Sequence, residues 1–192
     1  FMRQFILVFL LAVLAACQPS GTGKQLVATD ITGADFGHEL SLTDHHGQPR
    51  SLAEFKGKAV VLFFGYTHCP DVCPTTMIDL KQTMKLLGPR ADEVQVLFVT
   101  LDPERDTQAV LAQFVPSFDT RFIGLRGDES ATKLVQANFK IYAKKVEVKG
   151  KSTYTLDHSA GMYVFDKTGK IRLYVDYGEK PADIANDILQ VL

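Results

Sequence analysis

The sequence predicts an α/β fold: a central mixed sheet flanked by helices, opened by an N-terminal hairpin and carrying an inserted hairpin. Two runs carry that prediction. "AVVLFF" (59–64) and "VQVLFVT" (94–100) are continuous apolar stretches rich in β-branched and aromatic residues, as in strands buried on both faces. Between and after them, apolar residues recur at helical spacing, and strands alternating with helices are the pattern of a layered α/β domain.

Taken in order, Phe36, Leu40 and Leu42 precede a turn at "DHHGQP", and a short element at Arg50 to Leu52 completes a hairpin. Strand 59–64 ends at Gly65. A helix is expected from Pro74, whose missing N–H costs nothing in the first turn. Met77, Leu80, Met84 and Leu87 form its apolar face, and Gly88 stops it. Strand 94–100 follows, then an acidic loop, "LDPERDT". Residues 107–118 make a short helix and 121–127 a strand. Residues 128–139 form a helix capped by Asp128. "GMYVFDKTGKIRLYV" reads as two strands around a Thr-Gly turn, and "PADIANDILQVL" as a closing helix.

Organisation follows from the first 34 residues. Phe5 to Ala16 is an apolar run of twelve behind Arg3, too short for a bilayer-crossing helix of about 20 residues. It fits the core of a secretory signal peptide, and "LAAC" resembles the bacterial lipobox. That resemblance implies cleavage before Cys17 and lipid on it. Residues 18–34 are rich in Gly, Ser, Thr and Pro and read as a flexible tether, leaving one domain over 35–192. The expected location is the extracytoplasmic, periplasmic face of a bacterial envelope, on a lipid anchor. A net charge of −1 gives no basic surface for nucleic acid.

The chemistry sits in "GYTHCPDVCPTTM". Cys69 and Cys73 lie at the carboxyl end of a central strand and the start of a helix, the usual place for a site in such sheets. Helix N-termini favour thiolate, which is both nucleophile and metal ligand. With three residues between them, the pair could close a disulfide, act as a redox couple or hold one soft metal ion. Two thiolates suit Cu(I), zinc or an iron–sulfur cluster. A cluster would want four cysteines and structural zinc four ligands, whereas copper can use two sulfurs and one imidazole.

Five histidines are available. His158, placed in the loop entering a late strand, is the best third ligand. His45 and His46 are expected to be solvated in a turn, and His38 to be structural in an early strand. His68, beside Cys69, suits a supporting or partner-contact role. Asp71 could tune the site or meet a basic partner, and Asp157 could orient the His158 loop. Asp102 and Arg105 read as a capping arrangement. Lys140, Lys144, Lys145, Lys149 and Lys151 mark residues 140–156 as a basic, solvated hairpin.

"FFGYTHCPDVCPTTM", "LDPERDT" and "LDHSAGMYVFDKTG", in that order, resemble the Sco/SenC family of thioredoxin-like copper proteins that help assemble cytochrome c oxidase. The resemblance covers about residues 35–192. It implies a thioredoxin-like fold and one copper ion per chain, Cu(I) or Cu(II), on Cys69, Cys73 and His158. It further implies a monomeric metallochaperone rather than a turnover enzyme, serving the binuclear copper centre of oxidase subunit II or another copper or thiol protein. A Cys69–Cys73 disulfide would be the metal-free oxidised state. The alternative is a thiol–disulfide oxidoreductase in which Cys69 and Cys73 are the catalytic pair. A peroxidase is weaker, since it gives His158 no role.

Overall fold

A computed structural model describes residues 25–150 and 152–192. The Phe5–Ala16 run, Cys17 and Lys151 lie outside them. Eight strands form one mixed sheet: β1 (Thr29–Asp30), β2 (Ser41–Asp44), β3 (Pro49–Ser51), β4 (Ala59–Gly65), β5 (Val94–Thr100), β6 (Ile123–Arg126), β9 (Met162–Phe165) and β10 (Ile171–Val175). Their order is β1-β10-β9-β4-β5-β6-β2-β3. β4, β5 and β6 run parallel, and β9 pairs antiparallel with the other side of β4. A separate two-stranded hairpin, β7 (Ala143–Glu147) and β8 (Tyr154–His158), realises the expected insertion.

β4 is buried at every position because it is the middle strand, covered on both faces. Its side chains alternate between two aromatic layers. Phe63 meets Phe98 edge-on on one face, and Phe64 meets Phe139 on the other.

The helices are α1 (Val72–Leu87), α2 (Gln108–Phe114), α3 (Glu129–Asn138) and α4 (Pro181–Val191). α1 buries Met77, Leu80, Met84 and Leu87, the face its periodicity announced, and ends at Gly88 with φ +56°. It packs against α4, and the Thr83 hydroxyl also reaches the carbonyl of Pro181. Asp128 caps α3 by accepting from the amide of Ala131 at 2.7 Å. α2 is shorter than expected, because Val115–Ser117 tightens into a 3₁₀ turn containing Pro116.

Three expectations change. α1 begins at Val72, two residues before Pro74, so Cys73 lies inside the first turn rather than ahead of it. Within the stretch expected to be tether, Leu26, Ile31 and Ala34 pack against the core. β1 pairs with β10, and the fully buried Asp187 accepts from the amides of Val27 (2.9 Å) and Ala28 (2.7 Å). His38 lies outside any strand, exposed and beside the carboxylate of Asp35. Among the described residues, no helix is long and apolar enough to cross a membrane.

Candidate metal centre

Gly65 ends β4, and a short connection delivers Cys69 and Cys73 to the first turn of α1. Cys73 is fully buried under the sheet, whereas Cys69 is partly exposed; neither is bridged. The amide of Cys73 donates to the sulfur of Cys69 at 3.3 Å, which fixes Cys69 over the helix start. His158, at the end of β8, comes in from the far side. Its Nε2 lies 3.5 Å from the sulfur of Cys73. The two sulfurs and one imidazole nitrogen all lie within 4.8 Å of one another.

The tautomer of His158 follows from its other nitrogen. Nδ1 is 2.7 Å from the carbonyl of Ser159. A carbonyl only accepts, so Nδ1 carries the proton and Nε2 presents a bare lone pair to the sulfurs. Burial keeps the imidazole below its ordinary pKa, against the opposite pull of the Ser159 carbonyl and the Asp157 charge. Burial also pushes the Cys73 thiol well up. Without an ion, the pocket therefore holds a neutral imidazole and a protonated thiol, and a metal binding there must displace the Cys73 proton.

Several supports differ from those the sequence suggested. Asp157 is exposed, and the Ser159 carbonyl orients His158 in its place. His158 closes a hairpin strand rather than lying in a loop. The ring of Tyr66, buried directly after β4, stands edge-on to His158 with centroids 5.7 Å apart at 84°. Asp106, unmarked in the sequence reading, is fully buried and accepts from the Thr67 amide (2.9 Å) and the hydroxyls of Thr67 and Thr100. It anchors the backbone two residues ahead of Cys69. The signal for it is the second aspartate of "LDPERDT", four residues after Asp102.

The remaining candidates fall outside the ligand cluster. The His68 ring contacts the Thr67 hydroxyl and the Asp106 carboxylate. Asp71 is exposed beside Thr75 on a groove of about 470 Å³ that also touches Cys69 and His158. Asp102 is buried and paired with Arg105. His46 is exposed as expected, but His45 is buried. Its Nδ1 accepts from the amide of Gly124 at 2.9 Å, a strand partner 79 residues away. Lys144 is exposed, and Lys145 pairs with Glu104.

Chemically, two sulfurs and one neutral imidazole form a soft, three-donor set. That set suits a single copper ion better than a hard cation or a four-ligand structural zinc.

Comparison with known proteins agrees with this chemistry. The SCO1/SenC family profile matches residues 28–192. The mouse (Mus musculus) protein SCO2 homolog, mitochondrial, is 38% identical over 141 residues, covering 72% of this chain and 54% of that protein. The chain thus spans about half the length of the first curated relatives it matches. The structure of Bradyrhizobium japonicum ScoI with copper bound superposes with a TM-score of 0.75 at 38% identity, covering 83% of this chain and 100% of that one. Apo Sco1 from Thermus thermophilus gives 0.79 at 32% identity, covering 90% and 100%. The thioredoxin-like fold expected from the motifs is the fold of these structures and of this one. Since the profile extends over nearly the whole described chain, the protein belongs to the SCO1/SenC family.

Proposed function

We propose that this chain carries a single copper ion on Cys69, Cys73 and His158 and passes it to a copper-receiving partner. The family's place among cytochrome c oxidase assembly proteins supports the binuclear copper centre of oxidase subunit II as the destination. The observation that carries this reading is the convergence of three soft donors within 4.8 Å, with Nε2 of His158 held bare. Copper is cargo here. It would leave by ligand exchange, a partner's soft donors replacing His158 or one thiolate in turn. The open groove beside Cys69 gives such a partner access. Lipidation at Cys17 would hold the domain at the periplasmic face of a bacterial membrane.

Copper titration of the reduced protein tests this, with absorption and electron spin resonance spectra of the Cu(II) form and Cu(I) competition against a chelator. One ion per chain is expected, with sulfur-to-Cu(II) charge transfer and nitrogen splitting. His158→Ala should remove the splitting and weaken binding by roughly 10²-fold or more, at least the loss typical when a metal-site support is removed. Unchanged spectra and affinity in that variant would sink the assignment.

A second reading rests on the unequal exposure of the two cysteines. Cys69 faces the groove and Cys73 is buried behind it, which suits an attacking and a resolving thiol. Cys69 would attack a partner disulfide and form a mixed disulfide. Cys73 would then displace it, leaving Cys69–Cys73 oxidised and the partner a dithiol. Disulfide exchange that persists in His158→Ala after copper binding is lost would show the two activities to be separable.

A further inference from the structure

β8 brings His158 to the sulfurs, yet the hairpin to which it belongs is thinly attached. Among the described residues its two strands pair only with each other, and most of β7 is exposed. β8 is held to the body by the buried side chain of Leu156 and, further from His158, by a closed arrangement around Tyr154, four residues before it. The guanidinium carbon of Arg105 lies 3.7 Å from the Tyr154 ring centroid. Arg105 Nη1 donates to the Tyr154 carbonyl at 2.9 Å, and its Nε pairs with one carboxylate oxygen of Asp102. The Tyr154 hydroxyl donates to the other Asp102 oxygen at 2.8 Å. Tyr154 is therefore gripped at its backbone, its ring face and its hydroxyl.

The same guanidinium reaches toward the metal centre. It lies 5.8 Å from the ring of Tyr66, whose hydroxyl accepts from the Leu156 amide at 3.2 Å and whose edge meets His158. Arg105 keeps this position although its Nη2 is buried without a hydrogen-bond partner among the described residues. A planar fork can bond a carbonyl and a carboxylate while its face lies on a ring; an ammonium group cannot.

We propose that Arg105 is a positioning residue for the metal centre, setting where β8 lies and so whether Nε2 of His158 reaches the two sulfurs. This rests on the copper reading of Cys69, Cys73 and His158. The lever is long: four residues of extended strand span about 13 Å, so a tilt of about 10° at Tyr154 moves His158 by about 2 Å. That displacement takes the imidazole out of bonding range and leaves a two-sulfur site.

Two readouts test it on Arg105→Gln and Arg105→Lys, with folding checked by circular dichroism. In the Cu(II) form, wild type should show nitrogen splitting that both variants lose or halve, and Cu(I) affinity should fall roughly 10- to 100-fold. In the metal-free protein, the rate of His158 carbethoxylation, read by peptide mass spectrometry, should rise several-fold in both variants. A merely stabilising arginine would leave that rate unchanged under native conditions. Tyr154→Phe keeps the ring and carbonyl contacts and should fall between wild type and the Arg105 variants; it decides the matter by the same readouts should the others fail to fold. Folded variants with wild-type splitting and wild-type His158 reactivity overturn the inference alone. A wild-type protein that takes up no copper overturns the copper reading and this inference together.

Discussion

A β-carbon on Gly65 would lie 2.9 Å from the sulfur of Cys73. The last residue of β4 is thus a glycine because the Cys73 sulfur occupies the space a side chain would take. The same β-carbon would lie 3.0 Å from Phe98 and 3.2 Å from Phe63, so it cannot escape the sulfur by shifting toward either ring. Gly65→Ala is expected to cost about 1–3 kcal/mol in urea unfolding, as overpacking does. It should also weaken copper binding by moving Cys73. A variant with wild-type stability and affinity would contradict this geometry.

Gly161 offers a second test, from the His158 side. A β-carbon there would sit 2.3 Å from the Tyr174 ring, and Gly161 follows shortly after the Ser159 carbonyl that fixes the imidazole. Gly161→Ala should destabilise the protein by about 1–3 kcal/mol. In a Tyr174→Ala background the same change should cost much less, giving a coupling energy of order 1 kcal/mol or more. Additive effects would mean that the ring does not enforce the glycine.

Acid sensitivity should report on His45. Burial, reinforced by the His46 ring, holds its pKa below the ordinary 6.5. Above that value both folded and unfolded chains carry a neutral ring, and its contribution is fully present. As pH falls below 6.5 the unfolded chain takes up the proton first, so stability declines until the lower folded pKa is passed. The sign is that of a depressed base: loss on acidification. His158 is depressed likewise and adds to the same slope. His45→Gln should therefore remove up to about 1.4 kcal/mol per pH unit of slope just below pH 6.5, without abolishing it. An unchanged slope would show that His45 protonates freely in the folded state.

Asp106 should matter to both stability and thiol access. Asp106→Ala leaves the Thr67 amide and the Thr100 hydroxyl without their acceptor. A loss of about 1–3 kcal/mol is expected, together with faster alkylation of Cys69 in the metal-free protein as its connection loosens. Alkylation at the wild-type rate would confine Asp106 to a purely structural role.

What the sequence disclosed was whatever depends on near neighbours. The buried run at 59–64, the apolar face of α1 and the Asp128 cap are all written within one or two turns of chain. The cysteine pair was legible because its chemistry and its place after a strand are both local. Long-range partners were not. His45 looked like a turn residue because its acceptor role depends on Gly124, and the segment before residue 35 looked like tether because Asp187 lies 159 residues from Ala28. Asp157 suggests itself for orienting His158, whereas the Ser159 carbonyl that does so is not legible, because side chains are visible in a sequence and backbone directions are not. His158 itself stands out by its place just before an apolar strand; its approach on a hairpin strand is visible only in the fold.

The donors that converge at the metal centre come from distant stretches of chain: Cys73 and His158 are 85 residues apart. An ion held by all three would therefore be a removable cross-link as well as the proposed cargo. On the scale of disulfides, tying off a loop of that size restricts the unfolded chain by roughly 4–5 kcal/mol. Loading should therefore raise resistance to unfolding well beyond the immediate neighbourhood of the site. Handing such an ion over would untie the β8 hairpin from the start of α1 in the same step, so the proposed delivery would also slacken the carrier.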